Sequence, residues 1–215
     1  NISSISNNNS SNSNSNSFNG ARSSSSASKR SSNGSSSSSP TRSRAGARRH
    51  ERVRGGGDRE LLACIEEFDG AKLKDVEVTS AEWDEACDAV DPADRAALGK
   101  AAMRVREFHR KRIPSSWEMR EEGGATMGQR VLPLARVGLY VPGGKALYPS
   151  SVIMTATPAS IVEVPEIVMT TPPGADGTIR PEVLLAARLA GVHRVFKMGG
   201  AHAVAALAFG TESVP

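Results

Sequence analysis

The sequence predicts an α/β protein: a helical N-terminal region followed by part of a parallel-sheet layer, behind a disordered N-terminal tail. Three observations carry this. Residues 1–50 are dominated by Ser, Asn, Arg and Gly, with Ile2, Ile5 and Phe18 the only large apolar side chains. Such a segment cannot bury enough apolar surface to offset the entropy of ordering it. Residues 59–112 show apolar positions at helical spacing with capping signals at their ends. Beyond Gly123-Gly124, short β-prone runs alternate with helical ones, a succession that gives parallel strands joined by right-handed crossovers in a Rossmann-like layer. The expected organisation is a tail over 1–50, a helical region over 51–122 and a partial Rossmann-like α/β domain over 123–215.

Charge divides at the same place. Seven basic residues and no acidic ones stand up to His50, leaving 20 basic against 23 acidic residues from Glu51 onward. The sequence pI near 9.3 therefore belongs to the tail. Its charges are sparse among serines and no aromatic residues alternate with them to stack on bases, so no nucleic-acid partner is expected. An acid-free, Arg- and Ser-rich leader also reads as an organelle transit peptide, with plain low-complexity sequence an equal alternative. No run of 18 apolar residues occurs, and no membrane span is expected. The reading is a soluble intracellular protein, cytoplasmic or, if the tail is a transit peptide, plastid. Cys64 and Cys87 lack a CxxC partner and read as reduced, buried thiols.

Within the body, Arg59 to Phe68 reads as a helix with Asp58 as N-cap, Leu61, Leu62, Ile65 and Phe68 on one face and Gly70 after its end. Thr79-Ser-Ala-Glu82 has capping-box spacing and opens a second helix carrying Trp83, Cys87 and Val90. Asp91-Pro92 opens a third, with Pro at its first position, which runs to about Arg112 and buries Leu98, Val105 and Phe108. Thr126 to Leu132 and Arg136 to Val141 read as two paired strands. Ser150 or Ser151 is the expected cap of a helix that Pro158 kinks or ends. Glu166 to Thr171 is a strand, Pro181 to Ala190 a helix stopped by Gly191, His193 to Met198 a strand and Gly200 to Phe209 a helix.

Both Gly-Gly pairs, Gly143-Gly144 and Gly199-Gly200, fall just after a strand end. Ligands of parallel sheets gather at the carboxyl ends of the strands, and a missing Cβ lets a ligand or a backbone approach closely. Plain turn glycines are the alternative, and the sequence holds neither GxGxxG nor a P-loop pattern to decide between them.

The segments Arg136-Val-Gly-Leu-Tyr-Val-Pro-Gly-Gly144 and Met198-Gly-Gly-Ala-His-Ala-Val-Ala-Ala-Leu-Ala-Phe-Gly-Thr-Glu-Ser-Val-Pro215 resemble the histidinol dehydrogenase family. So do Gly57-Asp-Arg-Glu-Leu-Leu62, Phe68-Asp-Gly70, Gly128-Gln-Arg-Val131, Pro149-Ser-Ser151, Thr171-Pro-Pro173 and Leu189-Ala-Gly-Val192. The resemblance runs from about Arg52 to Pro215. It implies an NAD-dependent, zinc-containing homodimeric oxidoreductase that converts L-histidinol to L-histidine through histidinaldehyde, with two NAD. Carried over by position, Tyr140 matches an NAD contact, and His202 stands where the family usually has a glutamine that also touches NAD. A His there implies weaker or pH-dependent NAD binding. Gly143, Gly144, Gly199 and Gly200 complete the implied cofactor crevice. Glu163 stands where relatives usually have Gly, a charge that must reach solvent or find a partner.

The resemblance places the zinc ligands and acid-base residues beyond Pro215. No catalytic residue and no metal ligand is therefore assigned here: His50, His109 and His193 lack a second ligand at helical spacing, and neither Glu212 nor Asp176 matches the family's acid. The expected chain is a fragment of the enzyme, inactive by itself. The alternative is a non-catalytic truncated protein that binds NAD weakly or pairs with a full-length subunit. The chain stops inside an uninterrupted family segment, which favours a longer native polypeptide.

Overall fold

The computed structural model describes residues 40–143 and 147–215. Residues 1–39 of the expected tail, and Gly144 of the first glycine pair, lie outside them. Helix α1 spans Pro40–Cys64 as two helical stretches meeting at Gly57, whose φ of 57° and ψ of −143° break the helix. Two expectations are corrected here. Residues 40–50 are helical rather than part of a tail, and the stretch is anchored by Val53, which is buried beside Leu61 and Ile65 against the alanines of the last helix. Nor does Asp58 cap the stretch that follows Gly57. Its own N–H donates to Glu212 at 2.7 Å, while its carboxylate accepts from the backbone N–H of Ser213 at 3.3 Å. The chain's far end thus caps its first helix, a pairing that local spacing cannot announce.

A π-helical turn, Ile65–Asp69, continues α1 and closes on Gly70. Helix α2 (Ser80–Asp88) opens with the expected capping box: Thr79 Oγ accepts from the Glu82 N–H at 3.2 Å and the Glu82 carboxylate accepts from the Thr79 N–H at 3.4 Å. Helix α3 (Pro92–Arg110) begins under Asp91, which accepts from Ala93 N–H at 2.8 Å. Ala102 is its buried residue; Phe108, expected inside, is 60% exposed. Strands β1 (Trp117–Arg120) and β2 (Thr126–Gln129) form an antiparallel hairpin whose residues are all exposed, so β1 interrupts a stretch expected to be helical.

The main sheet is parallel, in the order β3-β4-β5, built from Arg136–Tyr140, Glu166–Thr171 and Arg194–Lys197. The expected pairing of residues 126–132 with 136–141 does not form. The first run turns back on β1 instead, and β3 lies beside β4 with Arg136 opposite Glu166 and Tyr140 opposite Thr170. Helices α4 (Pro149–Ile161) and α5 (Pro181–Ala190) make the two crossovers and pack with α2 and α3 over one sheet face, on Ile167, Met169 and Val195. Helix α6 (Gly200–Phe209) lies on the other face with α1, over Val168 and Phe196. Residues 76–78 run antiparallel along β5: Val78 N–H donates to Val195 O at 2.9 Å and Lys197 N–H to Val76 O at 2.7 Å. At the amino ends of the strands, Arg136, Glu166, Arg194 and Glu77 form a row of ion pairs, with Arg136–Glu166 at 2.6 Å and Arg194–Glu77 at 2.7 Å.

Neither Ser150 nor Ser151 caps α4. Tyr148 takes the cap position without a side-chain bond, and Pro149 opens the helix. Pro158 sits inside α4, which runs on to Ile161. Its end is a Schellman turn: Val164 N–H donates to Ala159 O and Glu163 N–H to Ser160 O, both at 3.1 Å. Glu163 therefore adopts φ 59°, the one non-glycine with positive φ among the described residues, and its side chain reaches solvent.

Two predictions follow from this framework. A left-handed non-glycine residue costs about 1–2 kcal/mol, part of which glycine returns through its greater freedom when unfolded. Glu163→Gly should raise the unfolding free energy by about 1 kcal/mol in urea titration; an unchanged or lower midpoint contradicts the assigned strain. Acid sensitivity is the second. Burial pushes the Asp58 carboxyl up, but hydrogen bonds from Ser213 and Thr211 outweigh it and hold the group below the ordinary aspartate range. The hydrogen bond from Arg136 likewise holds Glu166 down. Both groups are deprotonated more readily folded than unfolded, so their stabilisation is complete above the ordinary carboxylate range and is lost as the pH falls through the folded values. The urea midpoint should stay flat from neutrality to about pH 5 and fall below about pH 4, less steeply in Asp58→Asn.

Candidate functional site

The carboxyl ends of β3, β4 and β5 bring together nearly all of the residues singled out from sequence. Tyr140 ends β3, and its phenol oxygen accepts from Gly200 N–H at 3.2 Å across to α6. The ring remains 41% exposed, a flat apolar surface with a polar tip at the crevice. Gly143 and Gly199 both close on Pro172, which follows β4. A Cβ on Gly143 would lie 3.1 Å from Pro172 Cδ, and one on Gly199 would lie 2.5 Å from Pro172 Cγ. The two glycine turns thus clasp one proline ring and draw the three strand ends together. Beneath them Thr170 donates from its hydroxyl to Met198 O at 2.6 Å, tying β4 to the turn that starts α6.

Gly200, at φ 56°, begins α6, where the Gly199 N–H is taken by the Asp69 carboxylate and the Gly200 N–H by Tyr140. The atoms nearest to where its Cβ would stand are Arg49 Nη1 and His202 Cε1, both at 3.7 Å, and His202 Nδ1 at 3.8 Å. A second hollow of about 440 Å³ adjoins the first glycine turn, walled by Pro142, Gly143, Tyr148, Pro172, Asp176 and Arg180. A larger one of about 740 Å³ lies away from these turns, between the Gly57 bend and residues 209–215. There Glu212 already accepts the Asp58 N–H, so we place the candidate site at the glycine turns.

His202 is wholly buried beneath this surface rather than standing on it. Its Nε2 lies 3.0 Å from Asp69 Oδ2, the same oxygen that accepts the Gly199 N–H at 2.9 Å. Its ring stacks on Phe68 at 6.1 Å, and the Arg49 guanidinium also lies over the Phe68 ring, at 4.6 Å. His202 Nδ1 is buried with no partner. Asp69, Phe68 and Arg49 are the residues that sequence reasoning missed. From sequence Phe68 is only the end of a helix's apolar face and Arg49 part of the tail, and the setting of all three emerges only when α1 folds over α6. The adjacency of Phe68-Asp69-Gly70, quoted above as a motif, was the available signal.

The remaining candidates lie elsewhere. His193 Nδ1 accepts from Ile167 N–H at 2.9 Å at the opposite end of the sheet, and His109 stands edge-on to Phe108 at 5.3 Å. Cys64 and Cys87 are free and buried, and burial pushes both thiols up, which leaves them poorly nucleophilic. Among the described residues no three His, Cys, Asp or Glu side chains gather as metal ligands, so this donor set does not fit zinc. At the glycine turns a dinucleotide would meet the exposed ring of Tyr140, the start of α6 and the open side of Gly200.

Fold and site define a parallel α/β protein with a glycine-lined crevice at the carboxyl end of its sheet. The histidinol dehydrogenase family model matches residues 41–215. The histidinol dehydrogenase of Syntrophotalea carbinolica is 52% identical over 167 residues, covering 77% of this chain and 38% of that protein. That of Oceanobacillus iheyensis is 46% identical over 165 residues, with 77% and 39% covered. The crystal structure of histidinol dehydrogenase from Elizabethkingia anophelis superposes with a TM-score of 0.76 at 29% identity, covering 80% of this chain and 40% of that one. The chain belongs to the histidinol dehydrogenase family, a family of oxidoreductases, and spans about two fifths of the length of these relatives.

The clasp around Pro172 is testable. Gly199→Ala would drive a methyl into both Pro172 and Asp69 Oδ1, the latter 2.9 Å away. It should lower stability by about 1–3 kcal/mol, read by chemical denaturation, whereas Gly123→Ala, with nothing within 4 Å, should be near neutral.

Proposed function

We propose that this chain is the N-terminal portion of a histidinol dehydrogenase, contributing part of the NAD crevice to an enzyme that oxidises L-histidinol to L-histidine through histidinaldehyde with two NAD. The observation that supports it most is the convergence of Tyr140, Gly143, Gly199 and Gly200 on one crevice in a chain of this family. NAD, when bound, supplies the hydride acceptor. The chain's own part is to bind and orient. Tyr140 offers its ring face and hydroxyl, and the open Cβ side of Gly200 lets a ligand come close to the start of α6. By its place in the sequence, Gly144 is included in the same proposed cofactor contact.

In this reading the zinc ligands and the general base are residues other than those described. The isolated chain is therefore inactive. The enzyme is a homodimer, soluble, and cytoplasmic or plastid. No described helix is long and apolar enough to cross a membrane.

The experiment is an intact mass and C-terminal peptide from the native source, followed by histidinol-dependent NADH formation. Peptides continuing beyond Pro215 together with activity support the enzyme. A terminus at Pro215 with no turnover supports the alternative, a non-catalytic chain that binds NAD weakly or pairs with a full-length subunit. For the crevice itself, Tyr140→Ala should weaken NAD binding about tenfold by calorimetry, through loss of the ring and release of the Gly200 N–H. Unchanged affinity removes Tyr140 from the site.

A further inference from the structure

The β1–β2 hairpin has two unlike faces, and the fold uses neither. In its register Met119 stands opposite Met127 and Trp117 opposite Gln129. Directly opposed residues share a face and successive residues alternate, so Trp117, Met119 and Met127 lie together on one side of the ribbon. Glu118, Arg120 and Thr126 take the other side. The three apolar side chains are between 44% and 53% exposed and join none of the buried clusters. A lone two-stranded hairpin is marginal in water, and one that turns a Trp and two Met outward needs a surface to cover them. A surface of matching kind lies at its base. The segments that enter and leave the hairpin, at Ile113-Pro114 and Leu132 to Leu134, meet the end of α4 at Ile161 and Val162 around a groove of about 580 Å³. Its lining is apolar except for Glu163, whose side chain reaches solvent, and no residue of β1 or β2 lines it. Charge is arranged to match. His109 and Arg112 line an adjoining hollow at the end of α3, next to Arg110 and Lys111, while the hairpin's turn carries Glu121 and Glu122.

We propose that the hairpin is an exchanged arm: its face of Trp117, Met119 and Met127 seats in the groove of Ile113, Leu134 and Val162 on a second copy of this chain, which returns its own hairpin. The inserting face and the receiving groove belong to one sequence, so a twofold axis satisfies both contacts at once. The acidic turn of each arm then meets the basic end of α3 on the other copy, which sets the direction of insertion. A second copy is the occupant because this one chain supplies the apolar and the charged halves of the contact together. The inference rests on the homodimer reading given above and adds the surface through which the two chains meet.

The test is analytical sedimentation of the 215-residue chain over a dilution series, parent against two double variants. Trp117→Ser with Met119→Ser blunts the arm, and Leu134→Asp with Val162→Asp spoils the groove. All four side chains are exposed in the single chain, so both variants should keep its fold, which circular dichroism checks. The parent should be a dimer, and each variant should need about tenfold or more higher concentration to associate. Mixing the two variants separates a direct contact from general damage. The groove variant keeps an intact arm and the arm variant an intact groove, so one of the two reciprocal contacts is restored. The mixture should form heterodimers tighter than either variant's own dimer. A parent dimer that neither variant weakens, or a mixture that associates no better than its components, overturns the exchange and leaves the homodimer reading to another surface. A parent that stays monomeric throughout also overturns it, and gives the hairpin face to some other stretch of polypeptide. The homodimer reading is then judged separately, from the mass in solution of the polypeptide taken from the native source.

Discussion

Burial of β4 on both faces and both edges constrains everything around it. From Ile167 to Thr171 no residue of this strand is more than 3% exposed, so each must be apolar or hydrogen-bonded. Alternate residues serve different layers: Ile167 and Met169 face α4 and α5, while Val168 faces α1 and α6. Thr170 is admitted because its hydroxyl reaches Met198 O. Beyond the strand, Pro172 is held between the two glycine turns, so the central strand positions the crevice as well as the core. The ion-pair row at the other end fixes the register of the same three strands, since a slip of one residue would turn Glu166 and Arg194 to the opposite face.

How much of this could be read from sequence depended on whether the determining contact was local. The ranges of β4, α5 and α6, and the Thr79 and Asp91 caps, follow from spacing within a few residues, and the structure has them as expected. The start of the second α1 stretch after Gly57 was legible too, but its cap was not, because Glu212 lies 154 positions away from Asp58. The hairpin was missed for a related reason. Trp117 to Arg120 shows no buried face, and strand 126–129 was given the sequence neighbour β3 as its partner when β1 was available across the Gly123-Gly124 turn.

The site shows the same division. The turns at Gly143 and Gly199-Gly200 were legible because Gly-Gly pairs after strands mark turns at the carboxyl side of a sheet, whereas Tyr140 was singled out by the family resemblance. His202 was legible as a position but not in its setting, because burial under Phe68 and pairing with Asp69 depend on α1 closing over α6. Glu163 shows how a physical account can replace a compositional one. Its charge, which had seemed the difficulty, is solvated; its backbone conformation is the unusual feature.

The latch between Asp58 and residues 212–213 also bears on the order in which the molecule assembles. Contacts spanning about 155 positions form only after the intervening chain has been made and ordered, and they are the costliest to close entropically. On the ribosome the first helix emerges early, yet Val53, Leu61 and Ile65 have no surface to cover them until α6 has appeared. The α4–α5 layer can gather first around contacts closer in sequence. The amino-terminal helix then docks last, and the crevice floor beneath Phe68 is completed only at that step.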